Sequence, residues 1–147
     1  MDFRQSFDVH APLSGVQDFH ARSVSLQALT PRFMPMQLLD APPRLQSGDT
    51  VTFRMWLGPL PILWTARIEN SGPRGFTDMQ LKGPFAAWVH RHSFEPGGRS
   101  TTRVEDSIQA RLRPHAFWAP LGLVVWMGLS LLFAFRRWKT RRMLGHP

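Results

Sequence analysis

Apolar and polar side chains alternate through most of this 147-residue chain, and the alternation stops only near its C-terminal end. Between Phe3 and His10, Phe3, Phe7 and Val9 stand against polar neighbours, the pattern of a half-buried strand that Ala11-Pro12 ends. Ser14 is placed to cap a short helix through Phe19 and His20, with Val16 and Phe19 on one face. A second short helix or loop covers Ser23 to Thr30 and stops at Pro31. A strand is predicted at Met36 to Asp40. After the turn Gln46-Ser47-Gly48-Asp49, Val51, Phe53, Met55 and Leu57 alternate with Thr50, Thr52, Arg54 and Trp56. Beyond Gly58-Pro59-Leu60-Pro61, Trp64, Ala66 and Ile68 alternate with Thr65, Arg67 and Glu69. Further strands are expected at 75–82, 86–95 and 101–112, between turns at Asn70-Ser71-Gly72-Pro73, Gly83-Pro84 and Glu95-Pro96-Gly97-Gly98. Short consecutive strands with tight turns predict an antiparallel meander.

The last segment has a different period. Phe117 to Phe135 is almost wholly apolar, and a helix from Trp118 to Leu144 would be ~40 Å long at 1.5 Å per residue. It is long enough to span a bilayer, with basic residues following. Pro120, Gly122, Gly128 and Ser130 interrupt it, however, and the apolar sheet face of Phe53, Trp64 and Ile68 needs a cover. The expectation is a core helix lying against the sheet, which can be apolar nearly all round.

Composition narrows the picture. Hydrophobic residues make up 43% and cysteine is absent, which excludes disulfides, thiolate metal sites and cysteine nucleophiles. A cytoplasmic location fits, and Met1 to Asp8 lacks the basic start and apolar run of a signal peptide. The formal charge is +8, but it comes almost entirely from dispersed arginines, with Lys82 and Lys139 the only lysines. Nucleic-acid binding is therefore not expected. One basic cluster, Arg136, Arg137, Lys139, Arg141 and Arg142, leaves a membrane surface as a possible partner.

The element order resembles that of the START-like, or SRPBCC, superfamily. Phe7-Asp8-Val9-His10-Ala11-Pro12, followed by Val16 and Phe19, looks like its first strand and helix. Asp78-Met79-Gln80, Gly83-Pro84-Phe85 and Trp88-Val89-His90-Arg91-His92-Ser93-Phe94, leading to Thr102-Arg103-Val104-Glu105-Asp106, are similar to an uncharacterised bacterial branch of polyketide cyclase/dehydrase-like members. The resemblance implies one α+β domain over 1–147 with the helix-grip fold. In that fold a curved seven-stranded antiparallel sheet wraps a long C-terminal helix, with two short helices after the first strand. It also implies a hydrophobic small-molecule ligand, such as a lipid, isoprenoid or polyketide-like compound. The superfamily hosts carriers, receptors and cyclases alike, so the fold does not choose between binding and catalysis.

Strand periodicity singles out the polar residues. Asp78 and Gln80 share one strand face, and Trp88, His90, His92 and Phe94 share one face of the next. A turn at Gly83-Pro84 sets Asp78 opposite His90 and Gln80 opposite Trp88. A turn within Glu95 to Ser100 sets His90 near Asp106 and His92 near Val104. The expected row is Asp78–His90–Asp106 on the concave face. These groups can simply satisfy one another, orient a ligand, or act as acid and base, with His90 and Asp78 the catalytic candidates. A metal is not expected there, although the ligand types would allow one. The pocket lining is expected from Phe53, Met55, Trp64, Phe76, Asp78, Gln80, Trp88, His90, His92, Asp106 and Ile108 of the sheet, and Leu121, Val125 and Leu129 of the helix, with Ala66 and Leu132 beside them. No cofactor is implied: there is no G-x-S-x-G elbow, phosphate loop, H-E-x-x-H or dinucleotide fingerprint.

Overall fold

The computed structural model describes residues 1–145. Seven strands form one sheet in the order β1-β7-β6-β5-β4-β3-β2. They are β1 (Asp2–Val9), β2 (Met36–Asp40), β3 (Thr50–Leu57), β4 (Leu60–Gly72), β5 (Gly75–Lys82), β6 (Phe85–Pro96) and β7 (Thr102–Leu112). All neighbours are antiparallel. β2 to β7 are the expected meander, while β1 pairs with β7 at the far edge. The chain between β1 and β2 therefore crosses the sheet's full width, carrying α1 (Leu13–Ala21) and α2 (Ser23–Ala28). Ser14 does not cap α1. The helix starts at Leu13 with an extended Pro12 in the cap position and no side-chain cap. β4 runs on to Gly72 and so passes through the turn expected at Asn70. Trp56 is half-buried.

The C-terminal helical segment covers the span expected but is not one rod. α3 (Trp118–Met127) and α4 (Leu129–Leu144) meet at Gly128 with a bend of 41°, at a Gly-x-Ser sequence where helices kink readily. Gly122, Val125, Leu129, Phe133 and Thr140 are buried along the inner side of the pair. The approach at Gly122 is close: a Cβ there would lie 2.8 Å from Leu112 Cδ2 and 3.4 Å from Phe85 Cε1. The end of α4 is tied to β1, since Arg141 Nε donates to the Asp8 carbonyl at 2.9 Å and His10 N–H to the Gly145 carbonyl at 3.1 Å.

No single helix among the described residues is long and apolar enough to cross a membrane. The bent pair passes that test only when taken together. Its inner side joins Trp64, Ala66, Phe85, Trp88 and Ile108 of the sheet in the main core. A second cluster, Phe7, Val9, Val16, Phe94 and Val104, fastens α1 to the β1 side of the sheet.

Candidate functional site

Sheet and helices do not close completely against each other. Between them lies a cavity of about 150 Å³, bounded by strands β3 to β6, by α2 and the segment after it, and by α3 and α4. Phe53, Met55, Trp64, Ala66, Phe76 and Trp88 line it from the sheet, and Val125, Leu129 and Leu132 from the helices. The Trp64 and Trp88 rings meet edge to face with centroids 5.0 Å apart, and Phe53 stacks on Trp64.

One end of this wall is polar. Asp78 pairs with His90 across β5 and β6, in the register expected. The β6–β7 register is offset by two residues from expectation: His92, not His90, lies opposite Asp106, and Val104 lies opposite Phe94. A two-residue shift keeps every side chain on its face, so Asp106 still points inward and His90 reaches it diagonally. The expected row of three thereby becomes a cluster of four. His90 Nε2 donates to Asp106 Oδ1 at 2.9 Å, and His92 Nε2 donates to Asp78 Oδ2 at 2.8 Å. His92 Nδ1 is 3.2 Å from Asp106 Oδ1, and His90 Nδ1 is 3.4 Å from Asp78 Oδ2. The two imidazoles overlap with centroids 3.7 Å apart.

That overlap permits one positive charge at a time. Burial disfavours charge on His92, but hydrogen bonds to Asp106 and Asp78 outweigh it and raise its pKa to about 9. On His90, burial and then the neighbouring His92 charge prevail over the pull of Asp78 and Asp106, and its pKa is lowered. Burial works against ionisation of both carboxylates, yet the histidines hold Asp106 and Asp78 below the ordinary range. Three N–H groups then serve four nitrogen–oxygen contacts. The longest contact, at His90 Nδ1, is the one left without a proton.

Asp78, His90 and His92 face the cavity, while Asp106 stands behind them. Three other residues expected in the lining are not there. Gln80 instead clamps the β5–β6 turn, donating from Nε2 to the Phe85 carbonyl at 2.8 Å and accepting from Phe85 N–H at 3.2 Å. Ile108 is fully buried in the core, and Leu121 packs against it. Asp78, His90 and His92 could also hold a cation, since one ligand atom from each lies within 4.8 Å of the others; the hydrogen bond from His92 Nε2 to Asp78 Oδ2 competes with it.

Of the five polar lining residues that sequence reading passed over, Arg22, Ser25, Thr30, His20 and Arg136, the last two stand beside the polar cluster. Both carried a signal. His20 lies four residues after the inward Val16, and Arg136 lies three, four and seven after Phe133, Leu132 and Leu129, on one helical face. His20 Nδ1 bonds the Val16 carbonyl at 2.8 Å, and burial lowers its pKa to about 4. Arg136 does not belong to a common basic face with Arg137 to Arg142. Its guanidinium stacks 5.0 Å over Phe133, and its Nε is sealed from solvent without a hydrogen-bond partner.

No protein-family model matches the chain, and no curated protein does. Solved structures do. A protein from Chromobacterium violaceum, 9% identical, superposes with a TM-score of 0.77 over 100% of this chain and 99% of its own. An aromatase/cyclase from Streptomyces sp. R1128, 16% identical, gives 0.71 over 97% and 95%. A nucleoside-diphosphate sugar epimerase from Corynebacterium glutamicum, 28% identical, gives 0.68 over 94% of this chain but only 28% of its own. The chain accordingly shares the fold of these solved structures, and its seven-stranded antiparallel sheet, two short early helices and helical C-terminal segment are those of the helix-grip fold.

Proposed function

We propose that the protein binds a small, largely apolar molecule in the cavity between its sheet and C-terminal helices. The observation that carries this reading is a largely apolar cavity of about 150 Å³ with the cluster of Asp78, His90 and His92 on its wall. Pockets that take small molecules combine an apolar lining with a few placed polar groups. The size narrows the ligand: an apolar cavity of ~150 Å³ engineered into another protein holds benzene. A one-ring or short-chain compound fits without rearrangement, whereas a multi-ring polyketide requires the helices to move. The neighbouring aromatase/cyclase supports a ligand-binding use of this fold.

Titration with monocyclic aromatic and medium-chain acids and alcohols tests it, read by the fluorescence of Trp64 and Trp88 and by native mass spectrometry. Saturable one-to-one binding is expected. A flat response to the whole panel, with no molecule carried through purification, would sink the reading.

A second reading, catalysis on the bound molecule, is favoured because the Asp–His pair opens onto the cavity and is not sealed from it. Two adjacent titratable groups whose pKa values are driven apart make an acid and a base. Here the charged His92 is the acid and the neutral His90 the base. Proton removal beside a carbonyl is the simplest reaction they can perform. The check is exchange of the α-protons of 4-phenylbutan-2-one in deuterated buffer, followed by NMR. Exchange faster than in buffer, lost in His90→Gln, supports catalysis; equal rates confine the cluster to binding or structure.

A further inference from the structure

Arg136 is the feature that the cavity's apolar character does not explain. A buried donor without a partner costs free energy, so native structures rarely keep one unless something else uses it. Its Nε is such a donor. Phe133 holds the guanidinium plane from one side, and the cavity lies beside it. The charges of Asp78 and Asp106 are already offset by His92 and Arg136 together, while the hydrogen bonds of both carboxylates go to the histidines. Arg136 is thus electrostatically balanced yet has a bond to give.

We propose that Arg136 anchors an acidic group, so that the ligand is a small carboxylic acid (or an equally acidic oxygen) whose apolar body lies against Trp64 and Trp88. Arginine's fork suits a carboxylate, and a charge-assisted bond in a secluded site is among the stronger polar contacts. This inference rests on the binding reading above and specifies its ligand.

The experiment compares 3-phenylpropanoic acid with 3-phenylpropan-1-ol, which share the apolar body and differ in the acid. The acid is expected to bind the full-length protein at least about tenfold more tightly. Arg136→Met should abolish that preference while still binding the alcohol, and Arg136→Lys should retain part of it. Thermal unfolding of each variant confirms that it folds. Equal affinity for acid and alcohol would overturn the assignment, with Arg136 then bonded only to water, and leave the binding reading standing. If neither compound binds, the assignment falls, and the binding reading falls with it only when the wider panel of acids and alcohols is flat as well.

A separate observation concerns the opposite side of the same helices. Leu123, Val124, Met127 and Leu131 are exposed, Met127 by 73% and Leu131 by 60%, and the exposed Trp138 follows. Their spacing of three, four and seven residues places them on one outward stripe. At its end stand the exposed Arg137 and Arg142, with the Arg142 guanidinium 5.4 Å from the centre of the Trp138 ring. Large exposed aliphatics mark an interaction surface, and tryptophan beside arginine suits the headgroup layer. We infer that this stripe rests on an anionic lipid surface, with Arg137 and Arg142 on the headgroups.

Cosedimentation with phosphatidylglycerol-containing vesicles should exceed that with phosphatidylcholine vesicles and fall in high salt. The double variant Val124→Glu, Leu131→Glu should weaken it about tenfold or more. Absence of vesicle binding overturns the inference, as does salt-independent insertion. Dimerisation that the same variant abolishes, without vesicle binding, would assign the stripe to a second copy instead.

Discussion

His92 shows how a single side chain can be set by its partners against its surroundings. Its folded pKa of about 9 lies above the ordinary 6.5, so the native state holds that proton more tightly than the unfolded chain does. The resulting stabilisation is complete below about pH 6.5, declines as pH rises, and is gone once the folded value near 9 is passed. At full extent it is on the order of 3 kcal/mol. His20 acts in the other sense. Its folded value of about 4 means that acidification from 6.5 towards 4 protonates the unfolded chain first and destabilises the fold. Below that, the lowered carboxylates Asp78 and Asp106 lose their contribution as well. Maximal stability is expected between about pH 6 and 7, bounded by the His92 and His20 shifts. Unfolding temperatures of the native chain and His92→Gln, followed across pH, should differ most at about pH 6 and just below, and converge above pH 9. A gap that persisted there would mean that His92 acts through packing alone.

The elements carrying this cluster depend on close backbone approaches. Gly75 begins β5 at φ +129°, and a Cβ placed on it would lie only 1.8 Å from the His92 carbonyl oxygen. Gly75→Ala therefore combines a conformation alanine resists with a clash against backbone that has little room to yield. A loss of roughly 2–4 kcal/mol is expected, read by denaturant unfolding, together with weaker ligand binding because β6 must shift. Gly122 poses a milder case, since its close neighbour is the tip of Leu112 and not backbone. Gly122→Ala should cost less than Gly75→Ala, and the reverse order would show that α3 docks more rigidly than its contacts imply.

Taken as a whole, the molecule keeps a void where a tighter core was available, and its stability and its pocket are in competition. Ala66, buried and facing the cavity, is the natural place to separate them. Ala66→Leu should fill part of the space, leave stability unchanged or raise it by about 0.5–2 kcal/mol, and abolish binding of 3-phenylpropan-1-ol. Calorimetric unfolding and the fluorescence titration read the two effects separately. If binding survived the substitution, the ligand would sit elsewhere.

Alternation and turn residues were enough to place the strands nearly to the residue, because a half-buried strand must expose every second side chain. They also brought Asp78 opposite His90, since a tight turn at Gly83-Pro84 leaves little freedom of register. The partner of Asp106 was beyond their reach: the β6–β7 loop can close at two lengths with the same faces inward, and only packing against the helices selects one. The bend at Gly128 and the inward turn of Arg136 were only hinted at along the chain, by Gly128 and Ser130 and by the spacing of Arg136 from Leu129, Leu132 and Phe133; neither the angle nor the depth could be read there. A helix written out residue by residue has no fixed axis or depth. Where its apolar side meets a curved sheet decides which arginine is drawn inside and which remain in water.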